Sequence, residues 1–157
     1  MGKMEIVDFH PDHAAAFKSL NVAWISHYFV VEAKDLEVLD DPAGKVIAPG
    51  GHILMALEDG APIGCVALLA VPGGGFEVAK MAVTEAHKGR GIGRDLMAAC
   101  IERARSVGAN RLYLETNSSL APALGLYRSF GFRQIEPAEP SPYARADVAM
   151  ELVFPHP

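Results

Sequence analysis

No run in this 157-residue chain approaches the roughly 18 consecutive apolar residues that a membrane span requires. The opening Met1-Gly-Lys-Met-Glu-Ile lacks the apolar core of a signal peptide, so a cytoplasmic protein with no membrane partner is expected. Cysteine is scarce: Cys65 and Cys100 are the two present, each inside an expected strand or helix, where a free thiol behaves as a small hydrophobe. A reducing compartment fits that usage better than a disulfide scaffold. Basic residues are outnumbered, giving a formal net charge of −5, and backbone binding to nucleic acid needs a broad basic surface, so nucleic acid is excluded as a bulk partner. Ligand-type residues are also sparse. His10-Pro-Asp-His13 has no matching cluster elsewhere, and no metal is expected. What is abundant is apolar: half the residues are hydrophobic, which excludes disorder and suits a single domain over residues 1–157.

Strand and helix patterns alternate without a break. A strand over about Glu5 to Phe9 is followed by a helix from His10 to about Tyr28, with Asp12 as its N-cap and Phe17, Leu20, Trp24 and Tyr28 at helical spacing. A short helix near Ala33 to Leu39 follows. Asp40 to Gly44 and Pro49 to Gly51 carry loop chemistry. His52 to Glu58 and Ile63 to Val71 form a hairpin about Asp59-Gly60, and Pro72 to Gly75 leads into a strand from Phe76 to Val83. The helix after the next glycine turn places Ile92, Leu96, Cys100 and Ala104 on one face and stops at Gly108. A strand at Arg111 to Glu115, a helix at Pro122 to Phe130 and strands at Phe132 to Ile135 and Asp147 to Phe154 complete a β-α-α-β-β-β-α-β-α-β-β order.

The most informative segment is Phe76 to Cys100, which passes from strand through Lys88-Gly-Arg-Gly-Ile-Gly-Arg94 into a helix. Gly89, Gly91 and Gly93 allow close backbone approach, and the unpaired N–H groups of a new helix's first turn make an anion cradle. Lys88, Arg90 and Arg94 add positive charge. A nucleotide triphosphate loop is excluded, because Gly93 is followed by Arg94 and Asp95 where Lys and Ser or Thr are needed. A dinucleotide turn has the wrong third spacing, although Glu115 lies at a tolerable distance for its ribose acid.

Lys88-x-x-Gly91-x-Gly93 resembles the acetyl-CoA-binding motif [RQ]-x-x-G-x-[GA] of the GCN5-related N-acetyltransferases (GNAT family), with Lys in the Arg/Gln position. Downstream, Ala123-Leu-Gly-Leu-Tyr127-Arg-Ser-Phe-Gly131-Phe132 matches that family's A-x-x-L-Y-x-x-x-G-F signature at full spacing. The resemblance implies a mixed α/β fold: a mostly antiparallel sheet of about seven strands with a splayed fourth strand, flanked by about four helices. It implies acetyl-CoA as donor and an amine of a small molecule or peptide as acceptor. It assigns the cofactor to Met81, Ala82 and Val83 of the fourth strand, to Lys88, Gly89, Arg90, Gly91, Ile92, Gly93 and Arg94 of the turn, and to Asn117.

Chemistry nominates the reacting groups. An alkyl ammonium has a reference pKa near 10.4 and must lose a proton before it attacks. Glu77 is the candidate base. On an unbroken strand it shares a face with Ala79, Met81 and Val83, and it sits fourteen residues before Gly91, where some relatives such as histone acetyltransferases hold their glutamate. A solvent-facing strand carboxylate is the alternative. Tyr127 matches the family's general acid for the departing thiolate, with a role as a core aromatic as the alternative, and a backbone N–H near Val83 would meet the developing oxyanion. The family's acceptor pocket lies between the first two helices and the loop before the last strand, which nominates His27, Tyr28, Glu32, Tyr143 and Arg145. Arg145 is a candidate to hold a substrate carboxylate. The ordinary place for Trp24, Tyr28 and Phe29 is the core. Two rivals remain, an acyl-CoA-binding module without catalysis and a nucleotide-dependent enzyme. The apolar strand from Val148 to Phe154 is a candidate for pairing across a homodimer interface.

Overall fold

The computed structural model describes residues 2–137 and 139–155. Its central feature is one sheet of seven strands among those residues, in the order β1-β2-β3-β4-β5-β7-β6. The strands are β1 (Met4–Asp8), β2 (His52–Glu58), β3 (Ala61–Val71), β4 (Gly75–Val83), β5 (Arg111–Thr116), β6 (Arg133–Ile135) and β7 (Val148–Val153). All neighbours run antiparallel except β4 and β5. The helices are α1 (Ala14–Tyr28), α2 (Ala33–Leu39), α3 (Ile92–Ser106) and α4 (Ala121–Ser129).

The β2 sequence His-Ile-Leu-Met-Ala-Leu-Glu is apolar and buried between its polar ends because helices cover both of its faces. Ile53, Met55 and Leu57 pack with Phe17 and Leu20 of α1, whereas Leu54 and Ala56 join Ile92, Leu96, Met97 and Cys100 of α3. Gly64 on β3 lets α3 approach closely: a Cβ there would stand 3.3 Å from Ile92 Cγ2, Leu96 Cδ1 and the Ala82 carbonyl. The start of α3, and with it the glycine turn, is thereby pressed against the sheet.

Two local expectations are corrected. Asp12 does not cap α1. The His10 ring instead accepts from the Asp12 amide at 3.1 Å, and the His13 ring accepts from the His10 amide at 3.0 Å, closing a 3-10 turn at Pro11–His13 before α1 begins. Both rings spend a nitrogen on the backbone. The expected loop near Asp40 to Gly44 is interrupted by a π-helical turn over Ala43–Ile47, which buries Val46 against the α1 side of the sheet.

β4 controls the rest. Cys65 faces Ala82 and Ala67 faces Ala79, so Val66 alone opposes both Lys80 and Met81. This is a β-bulge, and Lys80 takes φ +56°, a conformation uncommon outside glycine. The extra residue reverses the strand's alternation. Before it, Phe76 and Val78 pack on the α3 side; after it, Met81 and Val83 do, while Ala82 packs on the α1 side. The expected shared face of Glu77 with Met81 and Val83 is therefore overturned, since an inserted residue shifts a period-two pattern by one.

Candidate functional site

β4 and β5 pair only at Phe76 with Leu112 and at Glu77 with Tyr113. Beyond that point the strands diverge, and a cavity of about 250 Å³ opens between them. The opening passes through the sheet. Leu112 and Leu114 turn to the α3 side, so Tyr113 and Glu115 occupy the opposite face, together with Glu77. Tyr127 reaches the cavity from α4 on the α3 side.

Glu77 lines this cavity, and its carboxyl is pushed up to about 7, first by burial and then by the nearby charge of Glu115, against a smaller downward pull from Lys80. A carboxylate in that range can take a proton at neutral pH and give it up again. Tyr127 is also raised, to about 12, by burial, and its hydroxyl has no hydrogen-bond partner among the described residues. Its ring lies 6.1 Å from that of Phe132. The pairing of the two motifs has a structural meaning: the strand ending in the glycine turn supplies one titratable group, and the second signature brings the other to the same void.

The glycine turn adjoins this cavity through Val83, Glu85 and Lys88. Gly91 is the N-cap of α3 with φ +79°, and no side chain caps the helix. The Asp95 amide is the first to bond back to Gly91, so the preceding amides of the first turn remain available to an anion. A Cβ at Gly89, Gly91 or Gly93 would meet no atom within 4 Å, which leaves the approach open. An uncapped helix start facing open space, joined to a slot through the sheet, fits a long anionic thioester carrier.

The three basic residues of the turn differ more than their sequence suggests. Arg90 Nη1 is 3.3 Å from Glu58 Oε2, which also pairs with His87 Nε2 at 2.7 Å. Arg94 stacks on Phe130 at 5.3 Å, and Lys88 donates to the Tyr28 hydroxyl. Among the described residues, Arg90 is the one of the three in ion-pair contact with a carboxylate.

Of the acceptor candidates, Tyr28, Tyr143 and Arg145 line the cavity. His27 stands outside the lining and lies 3.8 Å from Glu85, while Glu32 stands behind Arg145. Trp24 and Phe29 also line it; Trp24 packs against the α1-side core as expected, with part of its surface turned to the cavity. Arg145 is not free for a substrate carboxylate. Its Nη2 and Nη1 hold Asp35 at 2.6 and 2.9 Å, and Nη1 meets Glu32 at 3.3 Å. Asn117 borders the cavity, but its amide donates to the Arg145 carbonyl at 2.6 Å and its oxygen accepts from the Ser119 amide at 2.8 Å. That side chain braces the loop that joins β5 to α4.

Asp35, Lys80 and Glu115 were missed as site residues. Lys80 carried a usable signal, since a lysine within Val78-Ala-Lys-Met-Ala82 must find a partner when the strand is buried. It finds Asp35 at 2.8 Å and the Tyr143 hydroxyl at 3.1 Å. Burial alone would raise Asp35, yet hydrogen bonds from Arg145 and Lys80 outweigh it and hold the carboxyl at about 2.

A sequence model of the acetyltransferase (GNAT) family matches residues 14–132. The uncharacterized N-acetyltransferase YsnE of Bacillus subtilis is 38% identical over 95 residues, covering 59% of this chain and 63% of its own. N-alpha-acetyltransferase RimI of Mycobacterium tuberculosis is 32% identical over 94 residues, 58% of each chain. The chain spans about six tenths of the length of the curated relatives it matches. A GNAT-family acetyltransferase from Staphylococcus aureus Mu50 superposes with a TM-score of 0.85 at 16% identity, over 95% of this chain and 98% of that one. Salmonella typhimurium yncA, solved with its cofactor acetyl-CoA, gives 0.76 at 22% identity, over 98% and 95%. These two likenesses establish the fold.

Proposed function

The chain belongs to the acetyltransferase (GNAT) family, and from that membership we propose that it transfers the acetyl group of acetyl-CoA to a primary amine by direct attack in a ternary complex. The observation that carries this reading is the opening between β4 and β5, which brings Glu77 and Tyr127 to one cavity from opposite faces of the sheet. The first-turn amides of α3 and the Lys88 to Arg94 turn hold the diphosphate, and the backbone of Met81, Ala82 and Val83 borders the pantetheine arm. When bound, acetyl-CoA supplies an activated thioester. The Glu77 carboxylate removes the proton from the acceptor ammonium, and the Tyr127 hydroxyl donates to the sulfur as it departs. One relative is named an N-alpha-acetyltransferase, so a peptide amino terminus stands beside small amines in the acceptor class.

Titration calorimetry with acetyl-CoA is expected to show saturable binding, and a thiol-release screen across amine classes is expected to show turnover. Binding without release from any amine would leave an acyl-CoA-binding module. The absence of binding to well-folded protein would remove the reading altogether.

The cradle makes a finer prediction. Arg94→Ala should weaken acetyl-CoA binding several-fold, on the order of 1 kcal/mol for a charge-assisted contact, whereas Arg90→Ala should change it little because Glu58 already neutralises that guanidinium. Calorimetry on both variants checks this, and equal losses would count against the assignment.

A further inference from the structure

Four charged side chains form one network at the acceptor end of the cavity. Asp35 is fully buried, and the side chains of Lys80 and Arg145 are only 6% and 17% exposed. Arg145 grips Asp35 with both arms and touches Glu32, and Lys80 takes the remaining approach to Asp35. Two carboxylates and two cations cancel. For an incoming carboxylate to claim Arg145 or Lys80, the buried Asp35 would have to lose a partner, and stranding a buried charge is strongly unfavourable. The Tyr143 ring adds a lid over both cations, with Lys80 Nζ 4.5 Å and Arg145 Cζ 4.6 Å from its centroid.

The opposite charge is treated differently. Glu115 takes hydroxyl donors alone, Tyr113 at 2.8 Å on Oε2 and Ser141 at 2.6 Å on Oε1. Neither Glu115 nor Glu77 is ion-paired with a cation among the described residues; Lys80, whose charge reaches Glu77, is committed to Asp35. Trp24 and Phe29 offer aromatic faces on the same cavity, surfaces that attract cations. At the acceptor end the cavity thus has negative charge in excess, and both of its cations are committed; Lys88, the remaining cation on the lining, stands at the glycine turn, where it is assigned to the diphosphate. If Glu77 strips the attacking ammonium of its proton, Glu115 still lacks a positive partner.

Resting on the acetyl transfer argued above, we infer that the acceptor is an amine that carries no carboxylate and bears a second cationic nitrogen, which docks at Glu115. Amino acids are turned away by the committed cations, and monoamines leave Glu115 unmatched.

Three amines separate these effects: 1,5-diaminopentane, lysine, which is the same diamine with a carboxylate, and pentylamine, which lacks the second nitrogen. Expected kcat/KM for the diamine exceeds that for lysine and for pentylamine by at least about tenfold each, the scale of one desolvated charge contact. In Glu115→Gln the advantage of the diamine over pentylamine should fall to nearly one, with the ratio as the readout. Lysine used as well as the diamine, or a ratio unchanged in Glu115→Gln, overturns the inference. If the variant does not fold, the ranking on the unmodified protein decides. Should no amine release coenzyme A, the acetyl-transfer reading fails separately. Calorimetric binding of the diamine in preference to lysine and pentylamine would then still support this assignment of the cavity, and equal binding would end it.

Discussion

Tyr127→Phe is expected to lower kcat by about 100-fold, the low end of what a positioned proton donor contributes, with acetyl-CoA affinity unchanged within about twofold. The substitution removes one oxygen and keeps the ring beside Phe132 and the α3-side cluster, so the fold should survive it. In water a phenol near 10 faces a thiol near 8.5, and complete proton transfer to the thiolate would be uphill by about 2 kcal/mol. Burial lifts Tyr127 to about 12, which at first sight widens that gap. The same desolvation acts on thiols in this protein: Cys65 and Cys100 are both driven to about 12 by burial. A sulfur departing beside the buried Tyr127 hydroxyl would be desolvated in the same direction, which narrows the gap between phenol and thiol. Single-turnover measurement of thiol release checks this. An unchanged kcat would return Tyr127 to a packing role beside Phe130 and Phe132.

The glycine turn and the Tyr127 signature were legible because their geometry is local. A positive-φ N-cap at Gly91 and a helix beginning at Ile92 follow from a few adjacent residues. The bounds of α2 and β2 were legible for the same reason. The bulge at Lys80 was not, because it exists only in the register between two strands, and a period-two reading of β4 alone has no means of inserting a residue. Helical periodicity correctly aligned Trp24 with Tyr28 but could not say whether that face meets protein or empty space. The pairing of Asp35 with Arg145 spans 110 positions and joins α2 to the loop before β7, so Arg145 looked available to substrate when it was already engaged. Glu115 was weighed as a ribose contact only, because its approach to Glu77 depends on β5 lying parallel beside β4.

Glu77→Gln carries the other large effect, and its two readouts run in opposite directions. In the unmodified protein kcat/KM should climb with pH to a shoulder centred near 7, set by the Glu77 carboxyl and well below the ionisation of an alkyl amine near 10.4. The variant should lose that shoulder and about 100-fold in rate at pH 8. Stability should move the other way. Burial, with Glu115 adding to it, raises Glu77 from 4.5 to about 7, so the folded state holds its proton more tightly than the unfolded chain does. Ionising it therefore opposes folding: the penalty is absent below the unfolded value, grows as pH rises between the two, and is complete above about 7. At 1.36 kcal/mol per unit, the full penalty is at most about 3 kcal/mol. Glu77→Gln removes the ionisable group, so its melting temperature should match the parent near pH 4 and exceed it by several degrees at pH 8. Thermal melts of both proteins across that range decide the matter. A solvent-facing carboxylate would give superimposable curves at every pH, whereas a base held ready by burial must make the protein less stable in the range where it works.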